Sequence, residues 1–162
     1  MKQVILIMGI SGSGKSTLGK ALAEQLGMPF LDADDFHPKA NIMKMSSGQA
    51  LTDDDRWPWL AAIVEYMLNH HRDRFILGCS ALKASYRDYL SQRLEIHNVY
   101  LEIDFEEAKR RLEQRKGHFM PAKLIQSQLD TLEAPTQAVV ISAKTKITES
   151  VEFLASHFRK LL

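Results

Sequence analysis

The feature that most restricts the fold of this 162-residue chain is a glycine-rich segment near its start, GISGSGKS at positions 9–16. The segment matches GxxxxGK[ST] at every fixed position. It follows an apolar run at Val4–Met8 and precedes a stretch in which apolar residues recur at helical spacing. Such glycines let successive backbone N–H groups turn inward around a phosphate at a helix N-terminus. The segment therefore predicts a buried strand, a phosphate-binding loop and a helix, in that order.

Each residue type in this loop has an expected task in nucleotide binding. Lys15 can reach the β- and γ-phosphates of ATP, and the Ser16 hydroxyl can bind Mg²⁺. The other predicted nucleotide contacts are Gly9, Ser11, Gly12, Ser13, Gly14 and Thr17. The alternative is a glycine-rich turn with an exposed lysine. A GTPase is excluded because the chain has neither Asn-Lys-x-Asp nor Asp-x-x-Gly.

Apolar patterns alternate between strand and helix along the whole chain. The predicted strands are Val4–Met8, Phe30–Asp32, Phe75–Cys79, Val99–Glu102 and Val139–Ser142. The predicted helices are Lys15–Leu26, Asp53–His70, Lys83–Arg93, the stretch after Asp104 to about Arg115, Ala122–Leu132 and Thr148–Leu161. This alternation predicts an α/β fold with a five-stranded parallel sheet covered by helices on both faces, in a single domain spanning residues 1–162. Two segments, Phe36–Thr52 and Lys116–Pro121, are irregular and polar, as functional loops are.

Charge and cysteine content restrict the partners. The formal net charge is +1, so no electrostatic argument favours nucleic acid or a membrane surface as a partner. The first apolar run, Val4–Met8, is too short for a signal sequence or a membrane helix. Cys79 is the single cysteine, which excludes an internal disulfide and fits a reducing compartment. We expect a cytoplasmic protein.

Two aspartates end the second predicted strand. Asp32 and Asp34 are two residues apart, which places both carboxylates on one side of an extended chain beside the phosphate loop. A kinase needs one carboxylate to hold the metal and another to accept or orient the proton of the acceptor hydroxyl. We assign Asp32 to the metal and Asp34 to the acceptor. The alternative is that both residues cap the following turn.

Three longer segments carry a family resemblance. They read LDADDFHPKANIMKMSSGQALTDDDRWPWL from Leu31, CSALKASYRDYL from Cys79 and RLEQRKGHFMPAKLIQSQLDTLEAP from Arg111. Together they closely resemble the gluconokinase family, and the resemblance covers almost the whole chain. It implies a P-loop nucleoside-kinase-like fold, transfer of the ATP γ-phosphate to the 6-hydroxyl of D-gluconate, and a homodimer. The rivals are a related kinase for another aldonate, shikimate or a nucleotide, and a nucleotide-binding regulator without turnover.

An acceptor-binding segment is expected at about residues 36–60. Gluconate carries a carboxylate and several hydroxyls, so its site should offer a guanidinium and polar side chains. Arg56 is the predicted carboxylate ligand, with a surface ion pair to Asp53 or Asp54 as the alternative. The predicted polyol contacts are His37, Asn41 and Lys44, although His37 could instead pack the turn before Pro38.

Further acceptor contacts follow the third strand. Ser80 lies at the carboxyl edge of the sheet, where ligands of open α/β folds bind, but it could instead cap the next helix. Lys83 and Arg87 are predicted as substrate contacts on the resemblance alone. Arg87 has the alternative of pairing with Asp88 or Glu95.

A small lid is expected at about residues 112–124. Arg111 and Arg115 are four residues apart and therefore share one helix face. Lid arginines exclude water and neutralise the charge that develops during transfer, so we place Arg115 near the phosphate and Arg111 nearer adenine. The alternative is a solvated basic face paired with Glu107 and Glu113. His118 and Gln128 are further candidate acceptor contacts.

Overall fold

A computed structural model describes residues 1–115 and 122–162 of the chain. Its sheet has five strands: β1 Gln3–Met8, β2 Phe30–Asp32, β3 Arg74–Gly78, β4 Glu95–Glu102 and β5 Val139–Ser142. Their order across the sheet is β2-β3-β1-β4-β5, and every adjacent pair is parallel. The predicted α/β fold with a five-stranded parallel sheet is confirmed.

Helices connect the strands. They are α1 Lys15–Leu26, α2 Lys39–Ser46, α3 Asp53–Asn69, α4 Ala84–Ser91, α5 Phe105–Glu113, α6 Ala122–Thr131 and α7 Ile147–Leu161. A short 3-10 turn, Ala33–Phe36, follows β2. Among the described residues, no helix combines the length and the apolar character that crossing a bilayer requires.

The central strand β1 is buried on both faces, as its continuous apolar sequence requires. Leu6 and Met8 belong to the core layer beneath α3 and α4, which also holds Trp59. Ile5 and Ile7 point to the opposite layer, which α1 and α7 cover. Alternate side chains of one strand therefore join the two helical layers, and the phosphate loop begins where this fixed strand ends.

The structure adds a helix and lengthens a strand relative to the sequence prediction. Helix α2 lies inside the segment 36–52 that was expected to be irregular. It buries Asn41 while Ile42 and Met43 stay exposed, so no apolar periodicity marked it. Strand β4 begins at Glu95 rather than Val99, because Glu95 and the polar residues after it pair with β1.

Trp59 fastens α3 to the segment that follows β2. Its indole N–H donates a hydrogen bond of 2.6 Å to the Ala33 carbonyl inside the core, and its side chain is 1% exposed. The contact fixes the distance between α3 and the Asp32–Asp34 turn.

Trp59→Phe should lower the free energy of unfolding by about 3 kcal/mol, because it leaves the buried Ala33 carbonyl without its donor and opens a void. Trp57→Phe is the matched control, since the Trp57 ring is half-buried and packs edge-on against Tyr86; it should cost about 1 kcal/mol or less. Urea unfolding measures both losses. Equal losses would contradict the role given to the Trp59 hydrogen bond.

Candidate active site

The phosphate loop joins β1 to α1 and depends on two left-handed glycines. Gly12 has a φ of 83° and Gly14 a φ of 96°, a region that side chains disfavour. A Cβ atom on Gly12 would lie 3.0 Å from the Ala108 carbonyl oxygen of α5. The loop therefore needs glycine both for its own turn and for the close approach of α5.

Lys15 lies against its own loop. Its Nζ donates to the carbonyl of Gly9 at 2.9 Å and to that of Ile10 at 3.0 Å. Burial lowers the pKa of Lys15, whereas the nearby charge of Asp34 is the largest of the opposing influences. The ammonium group and the Asp34 carboxylate are therefore close enough to interact across the end of β1.

Ser16 and Asp32 form a pair of hard oxygen ligands beside the loop. The Ser16 hydroxyl donates to Asp32 Oδ2 at 3.0 Å, and Asp32 Oδ1 accepts from the Asp34 backbone N–H at 2.9 Å. The proposed capping role of Asp32 is therefore real, because one oxygen holds the turn. The other oxygen faces Ser16, and a hydroxyl beside a carboxylate fits the oxygen preference of Mg²⁺.

Asp34 lies on the open side of this turn. Its side chain is 81% exposed, and its Oδ1 lies 3.8 Å from His37 Nε2. Its charge also acts on Lys15 and on the buried Cys79, whose pKa is raised to about 12 by burial. Asp34 thus combines access to solvent with proximity to the phosphate loop, which a group that receives an acceptor hydroxyl requires.

His37 packs against the core. Its ring stacks on Trp59 with centroids 4.2 Å apart, and its Nδ1 lies 3.3 Å from the Asn41 amide nitrogen. The pKa of His37 is lowered to about 4, first by burial and then by the charge of Arg56. The packing alternative is therefore borne out, and the neutral imidazole can accept a hydrogen bond.

Asn41 and Lys44 project from α2 toward the start of α3. The Asn41 amide donates to the Asp55 carbonyl at 2.9 Å, and Lys44 Nζ lies 2.6 Å from Asp55 Oδ2. Asp55 also completes a reciprocal capping box with Thr52. These contacts lower the pKa of Asp55 to about 2, the hydrogen bond from Lys44 being the largest cause. The two predicted polyol contacts thus hold α2 against α3.

A polar cavity of about 460 Å³ lies between the starts of α3 and α4. Its lining residues are Leu51, Thr52, Asp53, Asp54, Arg56, Lys83 and Thr131. We call it the acceptor cavity. Arg56 Nη1 donates to the Leu51 carbonyl at 2.8 Å and to the Tyr86 hydroxyl at 3.1 Å. Lys83 Nζ lies 2.8 Å from Asp53 Oδ1, so Lys83 rather than Arg56 pairs with that aspartate.

Arg87 and Ser80 have backbone partners. Arg87 is buried and donates to three carbonyls, those of Ala81, Leu82 and Glu133. Desolvation lowers its pKa. These bonds replace the surface pairing considered for it, and its role as a substrate contact stays a prediction. Helix α4 is capped by Lys83, so the capping alternative for Ser80 is wrong; the Ser80 carbonyl accepts from the Gly9 N–H at 3.4 Å.

Helix α5 places Arg111 against the phosphate loop. Arg111 Nη2 donates to the Ala143 carbonyl at 2.6 Å and Nη1 to the Ser13 carbonyl at 3.4 Å. Its Nε also pairs with Glu107 at 2.9 Å, so the ion pair considered as an alternative coexists with the loop contact. Arg115 is exposed, and its charge lowers the pKa of Lys15. His118 lies outside the described residues.

Gln128 contacts the phosphate loop. Its Oε1 accepts from the Ser11 N–H at 2.7 Å, and its Nε2 donates to the Ser11 hydroxyl at 3.1 Å. Sequence reasoning expected Gln128 at the acceptor. The structure shows that α6 brings it to the phosphate loop, and its role at the acceptor stays a prediction.

Sequence reasoning assigned no role to Tyr86 and treated Asp53 only as a possible ion-pair partner. The Tyr86 hydroxyl donates to Asp53 Oδ1, and the two residues are 33 positions apart. Spacing could not reveal the contact, because it depends on how α4 packs against α3. The one signal was an aspartate among the first residues of a helix, which capping and the helix dipole also explain.

Known proteins resemble this chain in sequence and in overall structure. A family profile described as AAA domain matches residues 4–135. The gluconokinase of Gluconobacter oxydans is 42% identical over 161 residues, covering 96% of this chain and 90% of that protein. The thermoresistant gluconokinase of Escherichia coli is 42% identical over 135 residues, covering 82% and 77%. The crystal structure of a gluconokinase from Sinorhizobium meliloti superposes with a TM-score of 0.84 at 41% identity, covering 99% and 97%.

The buried imidazole of His37 predicts a measurable pH dependence. Its pKa is about 4 in the folded chain and 6.5 in an ordinary environment. The unfolded chain therefore takes up this proton first as the pH falls, and stability should decline from about pH 6.5 downward. Between pH 7 and pH 5 the loss from this group is about 2 kcal/mol.

His37→Gln keeps a hydrogen-bond acceptor for Asn41 but does not titrate in this range. Unfolding of both proteins at pH 7 and pH 5 measures the difference, with a histidine NMR titration as an independent check. A decline of the same size in both proteins, or a His37 pKa near 6.5, would contradict the neutral buried imidazole.

Proposed function

Since this chain belongs to the gluconokinase family, we propose that it transfers the γ-phosphate of ATP to the 6-hydroxyl of D-gluconate, giving 6-phosphogluconate. One observation carries the proposal beyond family membership. Lys15, the Ser16–Asp32 pair and Asp34 lie together at the carboxyl edge of the sheet, and the two cations Arg56 and Lys83 line a polar cavity between the starts of α3 and α4. The chain thus offers a phosphate loop, a solvent-exposed acidic group and a wall with two cations.

Asp34 is the proposed group that receives the acceptor hydroxyl. Its carboxylate is exposed, its charge acts on Lys15, and its Oδ1 lies 3.8 Å from His37 Nε2. A carboxylate there can orient the hydroxyl oxygen and accept its proton as the phosphoryl group transfers. Lys15 and Arg115 are the proposed cations for the charge on the transferring group. In-line transfer then depends mainly on positioning and electrostatics.

Ser16 and Asp32 are the proposed holders of Mg²⁺. Their oxygens already face each other at 3.0 Å. A bound Mg²⁺ would neutralise charge on the β- and γ-phosphates. The other Asp32 oxygen accepts a hydrogen bond from the Asp34 N–H. This bond ties the proposed metal ligand to the residue that carries the proposed catalytic carboxylate.

The proposed acceptor site has a carboxylate end and a polyol end. Arg56 and Lys83 supply positive charge for the gluconate carboxylate, and both line the acceptor cavity. His37, Asn41 and Lys44 are the proposed hydroxyl contacts; with Nδ1 accepting from Asn41, the neutral imidazole of His37 can donate its Nε2–H to a hydroxyl oxygen. Ser80, Arg87, His118 and Gln128 are proposed as further acceptor contacts. The residues at about 36–60 act as the acceptor-binding segment of the single domain.

The proposed lid comprises residues of about 112–124. Arg111, at its base, has one guanidinium nitrogen on the phosphate loop and another on the β5–α7 connection, a position suited to the nucleotide. We further propose a cytoplasmic homodimer. The location is supported by dependence on ATP and by the single, buried thiol of Cys79, and the dimer by resemblance to the family.

A coupled assay of ADP release tests the activity directly. The purified chain, Mg²⁺ and ATP are combined with gluconate, related aldonates, shikimate and nucleoside monophosphates, and NMR locates the phosphate on the product. Gluconate should give the highest kcat/KM and a product phosphorylated at the 6-hydroxyl. A higher kcat/KM with another acceptor would replace gluconate, and the lack of ADP release with every acceptor would refute the kinase proposal.

Asp34→Asn should depress kcat by about 10²–10⁴-fold, because the amide cannot accept the proton. The KM for ATP should change little, since Asp34 does not hold the loop. Asp35→Asn is the matched control, the adjacent carboxylate with an exposed side chain, and should leave kcat within about twofold of the parent. Equal losses in kcat and nucleotide affinity for Asp34→Asn would give this residue a metal-binding or structural role instead.

A further inference from the structure

Three charged side chains of the acceptor cavity converge on one tyrosine. The Tyr86 hydroxyl donates a hydrogen bond to Asp53 Oδ1 and accepts one of 3.1 Å from Arg56 Nη1. The Arg56 guanidinium carbon lies 5.4 Å from the centre of the Tyr86 ring, and Lys83 Nζ lies 5.8 Å from it. These groups come from α3 and from the start of α4, which are separated by about thirty residues of chain.

The tyrosine itself is fixed in place. It is 1% exposed and belongs to the core layer beneath α3 and α4. The ring of Trp57 packs edge-on against it, with centroids 5.5 Å apart. Its hydroxyl contacts two residues of the cavity wall, Asp53 and Arg56. A group held in this way can set the positions of long, flexible side chains that would otherwise adopt many rotamers.

The hydroxyl also separates opposite charges. Arg56 and Asp53 both line the cavity, and at contact distance a guanidinium and a carboxylate form a strong bidentate pair. Tyr86 stands between them as donor to one and acceptor from the other. Burial, followed by the hydrogen bond to Asp53, raises the pKa of Tyr86, so the phenol keeps the proton that it donates.

We propose that Tyr86 is a positioning residue for the acceptor, whose hydroxyl keeps Arg56 from pairing with Asp53 and so leaves the guanidinium directed at the carboxylate of a sugar acid. Asp53 in turn holds Lys83, and the two cations are set at fixed places on one wall. This inference rests on the proposed function, because it names a determinant of acceptor binding in the same site.

Tyr86→Phe tests the proposal, since it removes the hydroxyl and keeps the buried ring. The KM for gluconate should rise about tenfold, the effect of losing one hydrogen bond to a charged group. The KM for ATP and kcat should stay within about twofold, because the nucleotide side is untouched. Tyr89→Phe is the matched control on the same helix; Tyr89 also packs on Trp57, but its ring contacts Arg93 outside the cavity.

A double variant separates positioning from a general loss of structure. Asp53→Asn changes the other end of the same hydrogen bond on a side chain that is 45% exposed, and it should also raise the KM for gluconate. Combined with Tyr86→Phe, the rise should stay well below the product of the two single effects, because without the Asp53 carboxylate Arg56 has no ion-pair partner from which Tyr86 must keep it. Melting temperatures of all variants report folding.

The outcomes are distinct. An unchanged KM for gluconate in either single variant overturns the proposal, as does a double variant whose effect equals the product. Equal rises in the KM for gluconate and for ATP also overturn it, because they indicate a structural role. The parent chain is measured first: if it fails to phosphorylate gluconate, the proposed function fails, whereas a change confined to the variants concerns Tyr86 alone.

Discussion

The parallel pairing of β1 with β3 and β4 is the constraint on which the other parts of the molecule depend. With both edges paired and both faces buried, β1 cannot shift or slide, because a slip of one residue would exchange its two core layers. The phosphate loop begins at the end of this strand. The Gly9 N–H and the Ser80 carbonyl, at 3.4 Å, bring the end of β3 to the same place. Asp32 ends β2, the neighbour of β3. Three parallel strands therefore bring the phosphate loop, Ser80 and Asp32 to one edge of the sheet.

The side chains around the acceptor cavity are positioned in a different way. Its side chains come from helix starts and are held by one another rather than by backbone ladders. Asp55 illustrates this, since one carboxylate caps α3 and receives Lys44 from α2. Asp53 holds the start of α4 against α3, because its carboxylate accepts hydrogen bonds from Lys83 and from the Tyr86 hydroxyl. The three aspartates that open α3 interact favourably with the helix dipole, and two of them, Asp53 and Asp55, also hold Lys83 and Lys44.

The sequence predicted the parts of the site that depend on local geometry. The glycines of Gly9–Ser16 specify the loop, and Ser16 and Asp32 meet as expected. The extended chain expected through Asp34 is wrong, because Asp32 caps a 3-10 turn that contains Asp34. Long-range partners were not accessible from the sequence. The contact of Gln128 with Ser11 and the three carbonyls that Arg87 holds were not foreseen, and the predicted role of both residues at the acceptor stays a prediction. Both sets of contacts depend on how helices pack across the sheet, which spacing along one helix does not encode.

Glu133 and Arg87 join the start of α4 to the chain that follows α6. The Glu133 N–H donates to the Leu82 carbonyl at 2.8 Å, its side chain accepts from the Ala84 N–H at 3.1 Å, and its carbonyl accepts from Arg87 at 2.8 Å. Lys83, which precedes α4 on the cavity wall, is therefore held from two directions, by Asp53 of α3 through its side chain and by Glu133 through the neighbouring backbone.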